Sequence, residues 1–298
     1  MKDSDDRAKA PRPGETIPGG FGLSQNHAPH DEPDPIHRLV RERYGTVART
    51  GMPCCGPSCG PALSSIRVGY RPEELGSIPG DADLGLGCGN PTALVSLEEG
   101  QVVVDLGSGG GIDCFLAADK VGPTGKVIGV DMTPEMVERA RDNARKGGYT
   151  NVDFRLGTIE HLPVDDATAD LVISNCVINL SPDKPGVFRE AFRVLKPSGR
   201  IVVSDIVLTG ELPPGIKASL DAYVGCIAGA VFLDDYLGAM ASAGFEEIRV
   251  VKKTSFPVDL TGLDVDGTNG AGFDPGTAFE AVASVTVIRG HSSPVAAS

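Results

Sequence analysis

VVVDLGSGGGIDCFLAADKVGPTGKVIGVD, residues 102–131, decides the fold. VVVDL (102–106) and VIGVD (127–131) are short β-branched runs of the kind that form buried parallel strands. Between them lie a glycine loop and a stretch long enough for a helix, so the segment reads as strand, loop, helix, strand. Glycines at such a turn let the chain reverse sharply and let a ligand approach main-chain N–H groups. A dinucleotide fingerprint would need glycine at position 112, which is Ile112. The spacing is instead GxGxG over Gly107, Gly109 and Gly111, with Ser108 inside it and Asp105 two positions ahead. That form suits a nucleoside carrying a zwitterionic amino-acid tail better than a pyrophosphate. Asp131, ending the second strand, is placed to accept hydrogen bonds from ribose hydroxyls.

Outward from this core the alternation continues. MTPEMVERARDNARKGG is a helix with Thr133 as N-cap, Pro134 in the first turn and Gly147-Gly148 as its stop. VDFRLG, DLVIS and RIVVSDIV are three further strands, with a helix from about Pro185 to Leu195 before the last. FEEIRVVKK and FEAVASVTVIRG read as two closing strands. The fold class is therefore α/β, a Rossmann-like doubly wound sheet. On the N-terminal side, Ile36, Val40 and Tyr44 recur at helical spacing. GMPCCGPSCGPALSS is a loop, Pro72–Leu75 a short helix, and another helix is expected to start near Asn90. Residues 1–32 read as a disordered tail, 33–210 as the ligand-binding domain with an N-terminal helical segment, and 211–298 as a C-terminal closing region. The Gly/Asp-rich stretch around Asp264 and Asp266 departs from calcium-loop spacing and reads as a solvated loop.

Bulk properties exclude several classes. The chain has 298 residues, 41% hydrophobic, with 27 basic against 40 acidic residues and a net charge of −13. No apolar run approaches the roughly 20 residues of a membrane span, and no signal-peptide stretch opens the chain, so a cytoplasmic protein is expected. The acidic balance, without a basic patch, argues against a nucleic-acid partner. A monomer is expected. Seven cysteines, Cys54, Cys55, Cys59, Cys88, Cys114, Cys176 and Cys226, do not suggest a disulfide framework. Cys176 follows DLVISN and so belongs at the carboxyl edge of the sheet, where ligands bind in open α/β folds. Cys88 lies in the glycine-rich GLGCGNP and Cys226 in the small-residue DAYVGCIAGA, expected to be a helix passing above the site. Cys114 reads as packing. Three converging thiolates suit a soft, thiophilic centre.

The glycine loop in this context resembles the class I S-adenosylmethionine-dependent methyltransferases. The resemblance implies that Met132 joins Asp131 in the cosubstrate site, that Thr158, Ile159 and Glu160 of GTIEHLP line the adenine end, and that Asn175 faces the methionine end. With LGLGCGNPTALVSL, VIGVDMTPEMVERAR, VISNCVINLSPDK and FREAFRVLKPSG, the chain resembles the arsenite methyltransferases of microbes over roughly residues 36–250. What this implies is methyl transfer from S-adenosylmethionine to arsenic(III) held by Cys88, Cys176 and Cys226, with no tightly bound metal, in arsenic detoxification. Arsenite or its glutathione conjugate would be the acceptor, and thioredoxin or glutathione the thiol reductant. Cys54, Cys55 and Cys59 are the candidates for a redox partner thiol. Two rivals remain at this point: a small-molecule C- or O-methyltransferase, for which His161 is the nearest histidine, and a metalloid-binding thiol protein without transferase activity.

Overall fold

The computed structural model describes residues 34–51, 65–212, 214–217, 219–255 and 279–289. Cys54, Cys55 and Cys59, the tail 1–32 and the Asp264–Asp266 loop lie outside the described residues. The order of elements is α1 (Pro35–Thr50), α2 (Pro72–Ser77), β1 (Val102–Leu106), α3 (Ile112–Val121), β2 (Lys126–Asp131), α4 (Pro134–Gly147), β3 (Val152–Leu156), β4 (Ala169–Asn175), α5 (Lys184–Val194), β5 (Leu195–Leu208), α6 (Pro214–Lys217), α7 (Leu220–Val224), α8 (Leu233–Ser242), β6 (Phe245–Ser255) and β7 (Phe279–Arg289).

These strands form one seven-stranded sheet in the order β3-β2-β1-β4-β5-β7-β6. β1 to β5 run parallel, and β7 inserts antiparallel between β5 and β6. Because side chains alternate along a strand, the apolar runs feed two cores, one on each face. Val104, Leu106, Val172, Ile201 and Val203 pack on one face with Phe188 of α5 and Met240 of α8. Val103, Leu171, Ile173 and Val202 pack on the other with Phe115 of α3 and Ala140 of α4. β1 pairs with both β2 and β4, so chain order reverses beside it. A crevice must open there, above the carboxyl ends of the strands.

Three local expectations differ from the structure. Near Asn90 there is only one turn of 3-10 helix, Pro91–Ala93, capped by the Asn90 side chain. Leu94, Val95 and Leu97 then pack singly onto the second core, and that tertiary contact outweighs helix propensity. Thr133 does stand at the N-cap of α4, but its side chain makes no capping bond. Its main-chain N–H instead donates to Asp131 Oδ1 at 2.8 Å. Cys226 is not helical: α7 ends at Val224 and Cys226 adopts φ 63°. The turn brings Gly229 so close to the Asn179 carbonyl oxygen that a Cβ there would lie 2.0 Å from it.

Among the described residues no helix is long and apolar enough to cross a membrane.

Candidate active site

The glycine loop leaves β1 with Gly107 at φ 67°, and a Cβ on it would lie 2.4 Å from Val177 Cγ2. Only glycine satisfies both the left-handed backbone and that approach. The N–H groups of Gly107 and Ser108 donate to the Val130 carbonyl at 2.8 and 3.0 Å, and Gly109 N–H donates to Asp131 Oδ2 at 3.0 Å. Asp131 therefore ties the loop to the start of α4 and is fixed at the end of β2.

Over this loop opens a cavity of about 980 Å³, counted to its solvent-filled mouth. Asp105, Gly107, Ser108 and Gly109 border it from β1, and Asp131 and Met132 from β2. Ile159, Glu160, Asn175 and Cys176 close the far side. Gly111 and Thr158 of the expected set do not border it. Gly111 packs where a Cβ would strike Phe115 and Phe154, and Thr158 bridges to His161. Three buried polar atoms on the wall have no partner: Ser108 Oγ, Asp83 Oδ2 and Glu160 Oε2. Buried polar groups are normally satisfied. A ligand rich in hydroxyl and amino groups would complete them, so the residues present fit an adenosyl amino acid.

Tyr70 and Asp113, which sequence reasoning missed, form the wall near Asp105. Tyr70 OH donates to Asp113 Oδ1 at 2.8 Å, while Asn175 Nδ2 donates to Asp113 Oδ2 at 3.1 Å and to Tyr70 OH at 2.8 Å. Burial pushes the Asp113 carboxyl up to about 6. Burial and the neighbouring Asp113 charge hold Asp105 well above the usual carboxylate range. Two adjacent buried acids favour a cationic partner, such as the ammonium of an amino-acid tail.

Asn175 also organises the thiols. Its Oδ1 accepts from the N–H groups of Cys88 and Gly89 at 3.0 and 3.2 Å, and its Nδ2 donates to the Gly89 carbonyl at 2.8 Å. The GLGCGNP loop is thus strapped over the end of β4. Cys88 Sγ donates to the Ser204 carbonyl at 3.4 Å, and Cys226 Sγ donates to the Cys176 carbonyl at 2.8 Å. Sulfurs of Cys88 and Cys176 and a carboxylate oxygen of Asp205 all lie within 4.8 Å of one another. Cys226 lies outside that group of three and is held against Cys176 by the bond of its thiol to the Cys176 carbonyl. All three cysteines are buried, and of them only Cys176 borders the cavity. Cys114, by contrast, donates to Asp105 Oδ2 at 3.2 Å inside the second core, away from this cluster.

Two further features mark the cluster. Of five non-glycine residues with positive φ among the described residues, two are Cys176 (φ 62°) and Cys226 (φ 63°). Such backbone costs about 1–2 kcal/mol for an L-residue and persists where surrounding structure imposes it. Burial raises the Cys88 thiol above its ordinary value. The Cys226 thiol lowers Cys176, but the Cys88 thiol and burial outweigh it and leave Cys176 well above that value. Contact with Cys176 and then burial raise Cys226 likewise. At neutral pH the cluster therefore holds protonated thiols. Asp205 is buried beside them, and burial pushes its carboxyl up to about 7 against the bonds it accepts.

Helix α1 roofs the cavity with His37, Val40 and Tyr44. His37 Nε2 lies 3.1 Å from Glu160 Oε1, and Tyr44 OH donates to the Val224 carbonyl at 3.1 Å. The bond to Glu160 raises the His37 pKa above 6.5, against the lowering effect of burial. A group raised on folding contributes stability that is complete below its unfolded value and lost as pH rises through the folded one. Raising pH from about 6 to about 9 should therefore loosen α1. Amide protection factors across residues 35–50, which correct for the intrinsic pH dependence of exchange, should fall, and His37→Gln should remove that fall. Protection factors that stay the same from about pH 6 to about pH 9 in the native protein would sink the latch.

A parallel sheet with a glycine loop at its switch point, an acid ending β2 and a nucleoside-sized cavity define a class I methyltransferase architecture. Residues 97–255 match the methyltransferase domain family. The arsenite methyltransferase of Halobacterium salinarum is 45% identical over 248 residues, which cover 79% of this chain and 63% of that protein. The human arsenite methyltransferase is 39% identical over 72% of this chain and 60% of its own length. A crystal structure of an arsenic(III) S-adenosylmethionine methyltransferase from Chlamydomonas reinhardtii superimposes with a TM-score of 0.57 at 33% identity, covering 76% of this chain and 73% of that one. The chain belongs to this arsenic(III) methyltransferase family. It spans less than two-thirds of the length of the curated relatives it matches.

Proposed function

We propose that this protein transfers methyl groups from S-adenosylmethionine to arsenic(III) held by Cys88, Cys176 and Cys226, and so serves arsenic detoxification. The observation that carries the reading is the meeting of the Cys88 and Cys176 thiols, with Cys226 bonded to the Cys176 carbonyl, all buried behind the methionine end of the cavity. Two of them stand on strained left-handed backbone.

S-adenosylmethionine supplies an electrophilic methyl on a sulfonium. Asp131 and the Gly107–Gly109 loop would hold its ribose, Ile159 and Glu160 its adenine, and Asp105, Asp113 and Asn175 its amino-acid tail. The protonated thiols suit the acceptor. Arsenous acid exchanges each hydroxide for a thiol and releases water, so no thiolate need be stored in an apolar site. Exchange from a glutathione conjugate is proton-neutral in the same way. Arsenic on three sulfurs keeps a lone pair, which attacks the methyl as the carbon–sulfur bond breaks. No general base is needed, because the attacking atom carries no proton. The chain's contribution is alignment, which can be worth up to about 7–11 kcal/mol.

The lone pair's donation leaves arsenic pentavalent, and two electrons must return it to trivalency. A thiol pair closing to a disulfide supplies them, restored by thioredoxin or glutathione. Cys88 with one of Cys54, Cys55 and Cys59 is the pair we favour.

The test is incubation with arsenite, glutathione and methyl-labelled S-adenosylmethionine, with chromatography of the arsenicals. Labelled methylarsenicals are expected, and beyond one turnover they should require at least one of the three N-terminal cysteines. Cosubstrate binding without labelled arsenic would refute the arsenic acceptor and direct the search to organic ones.

A further inference from the structure

Methyl transfer moves a positive charge. The sulfonium carries it before the reaction, whereas arsenic on three thiolates is neutral. The carbon–sulfur bonding pair stays with the departing thioether, and the arsenic lone pair becomes the new arsenic–carbon bond. The product is therefore a neutral thioether and a cationic methylarsenic centre. That charge arrives in a cluster whose other walls are apolar, among them Val40, Leu180, Ile206 and Ala222. An uncompensated cation there would be costly, since charges interact far more strongly in low dielectric than in water.

We propose that Asp205, on the assumption that arsenic is the acceptor, is the built-in counter-charge for this step. One of its oxygens lies within 4.8 Å of both Cys88 Sγ and Cys176 Sγ. Its orientation is fixed by three donors. Asn179 Nδ2 and its neighbour's Ile206 N–H reach Oδ1 at 2.9 and 3.0 Å, and Tyr236 OH reaches Oδ2 at 3.1 Å. These donors, like the incoming positive charge, favour the ionised carboxylate against the burial that holds the carboxyl at about 7 in the unloaded site. The preceding residue on the same strand, Ser204, accepts from Cys88 Sγ and from Cys176 N–H at 2.8 Å through its carbonyl. Two thiols and the carboxylate are thus referenced to one segment of β5, a rigid support for preorganised electrostatics.

The other acids that border the cavity lie outside this cluster, and Asp83 accepts from the Ser65 hydroxyl and Gly85 N–H on one oxygen. Asp105 and Asp113 face each other beside Tyr70 and Cys114, Asp131 holds the glycine loop, and Glu160 meets His37. Lys184, whose ammonium donates to the Ser181 carbonyl at 3.2 Å, is the cation whose field reaches Asp205. Neutralising Asp205 would leave that cation unopposed next to an incoming positive charge.

Asp205→Asn keeps the shape and tests the charge. Arsenic retained after desalting and S-adenosylmethionine affinity should stay within about twofold of the native protein, while the single-turnover transfer rate falls about 100-fold. Asp205→Glu should recover part of the rate. Equal rates for native protein and Asp205→Asn would overturn the inference. So would a loss of rate merely proportional to lost arsenic, which would make the carboxylate a builder of the thiol site and nothing more. A native chain that binds cosubstrate but methylates no arsenic would overturn the arsenic reading itself, and this inference with it.

Discussion

Cys176→Ser should abolish methyl transfer to arsenic, by at least about 1000-fold, while leaving cosubstrate binding close to native. Of the three candidate thiols, Cys176 alone borders the cavity, with Cys88 Sγ within 4.8 Å of its sulfur and the Cys226 thiol on its carbonyl, so its loss breaks the cluster at its centre. A serine oxygen keeps the shape but is a hard donor to a soft acceptor. The Cys226 thiol donates to the main-chain carbonyl of Cys176, a bond that the substitution leaves in place. Chain geometry should therefore survive. A paired comparison separates function from strain. Cys176→Ala and Cys176→Gly both remove sulfur, but only glycine adopts φ 62° without penalty. The glycine variant should be inactive yet more stable than the alanine variant by about 1 kcal/mol, read as a higher Tm. Methylarsenical formation by Cys176→Ser at more than a tenth of the native rate would remove this thiol from the reaction.

The part of the site built from contiguous sequence was legible. The glycine loop, Asp131 and the strand that ends in Asn175-Cys176 each follow from short-range pattern, because a parallel strand delivers its next residues to the carboxyl edge. Cys88 and Cys226 could be nominated only as glycine-rich neighbours and by resemblance. What brings them in is tertiary: the Asn175 carboxamide straps one loop, and a left-handed turn aims the other. That turn replaced the expected helix. Tyr70 and His37 were illegible for the same reason, since each reaches the cavity from a segment whose docking no local pattern encodes, whereas Asp113 sits in the first turn of α3 and only its burial against Tyr70 and Asn175 marks it out. Asp205 did leave a signal. A carboxylate inside the apolar run RIVVSDIV must be buried on either face of the sheet, and a buried acid asks for a reason. Glu160 was expected against adenine, but one of its oxygens is taken by His37 and Ser181 and only the other is left for a ligand.

Gly89→Ala should cost function far more than stability, although it touches no reacting atom. A Cβ at Gly89 would lie 2.6 Å from Ser204 Oγ and 2.7 Å from Ser204 Cβ. Ser204 cannot retreat, because it is fully buried on β5, paired to β4 at Asn175 and to β7 at Ala283. The loop must lift instead. Lifting stretches the Asn175 bonds to Cys88 and Gly89 and withdraws the Cys88 sulfur from the Ser204 carbonyl. Overpacking of this kind costs about 1–3 kcal/mol, which for a domain of this size is roughly 3–10 °C in Tm. Arsenic retention should fall well below one per chain and transfer should drop about 100-fold, since a displacement near 1 Å is that costly to an aligned reaction. Gly76→Ala is the matched control. Gly76 lies in α2, where an added Cβ meets nothing within 4 Å, so that variant should match or slightly exceed native stability. A Gly89→Ala protein that retains arsenic and turns over normally would mean that the thiols are assembled by some route other than the close seating of this loop on β5.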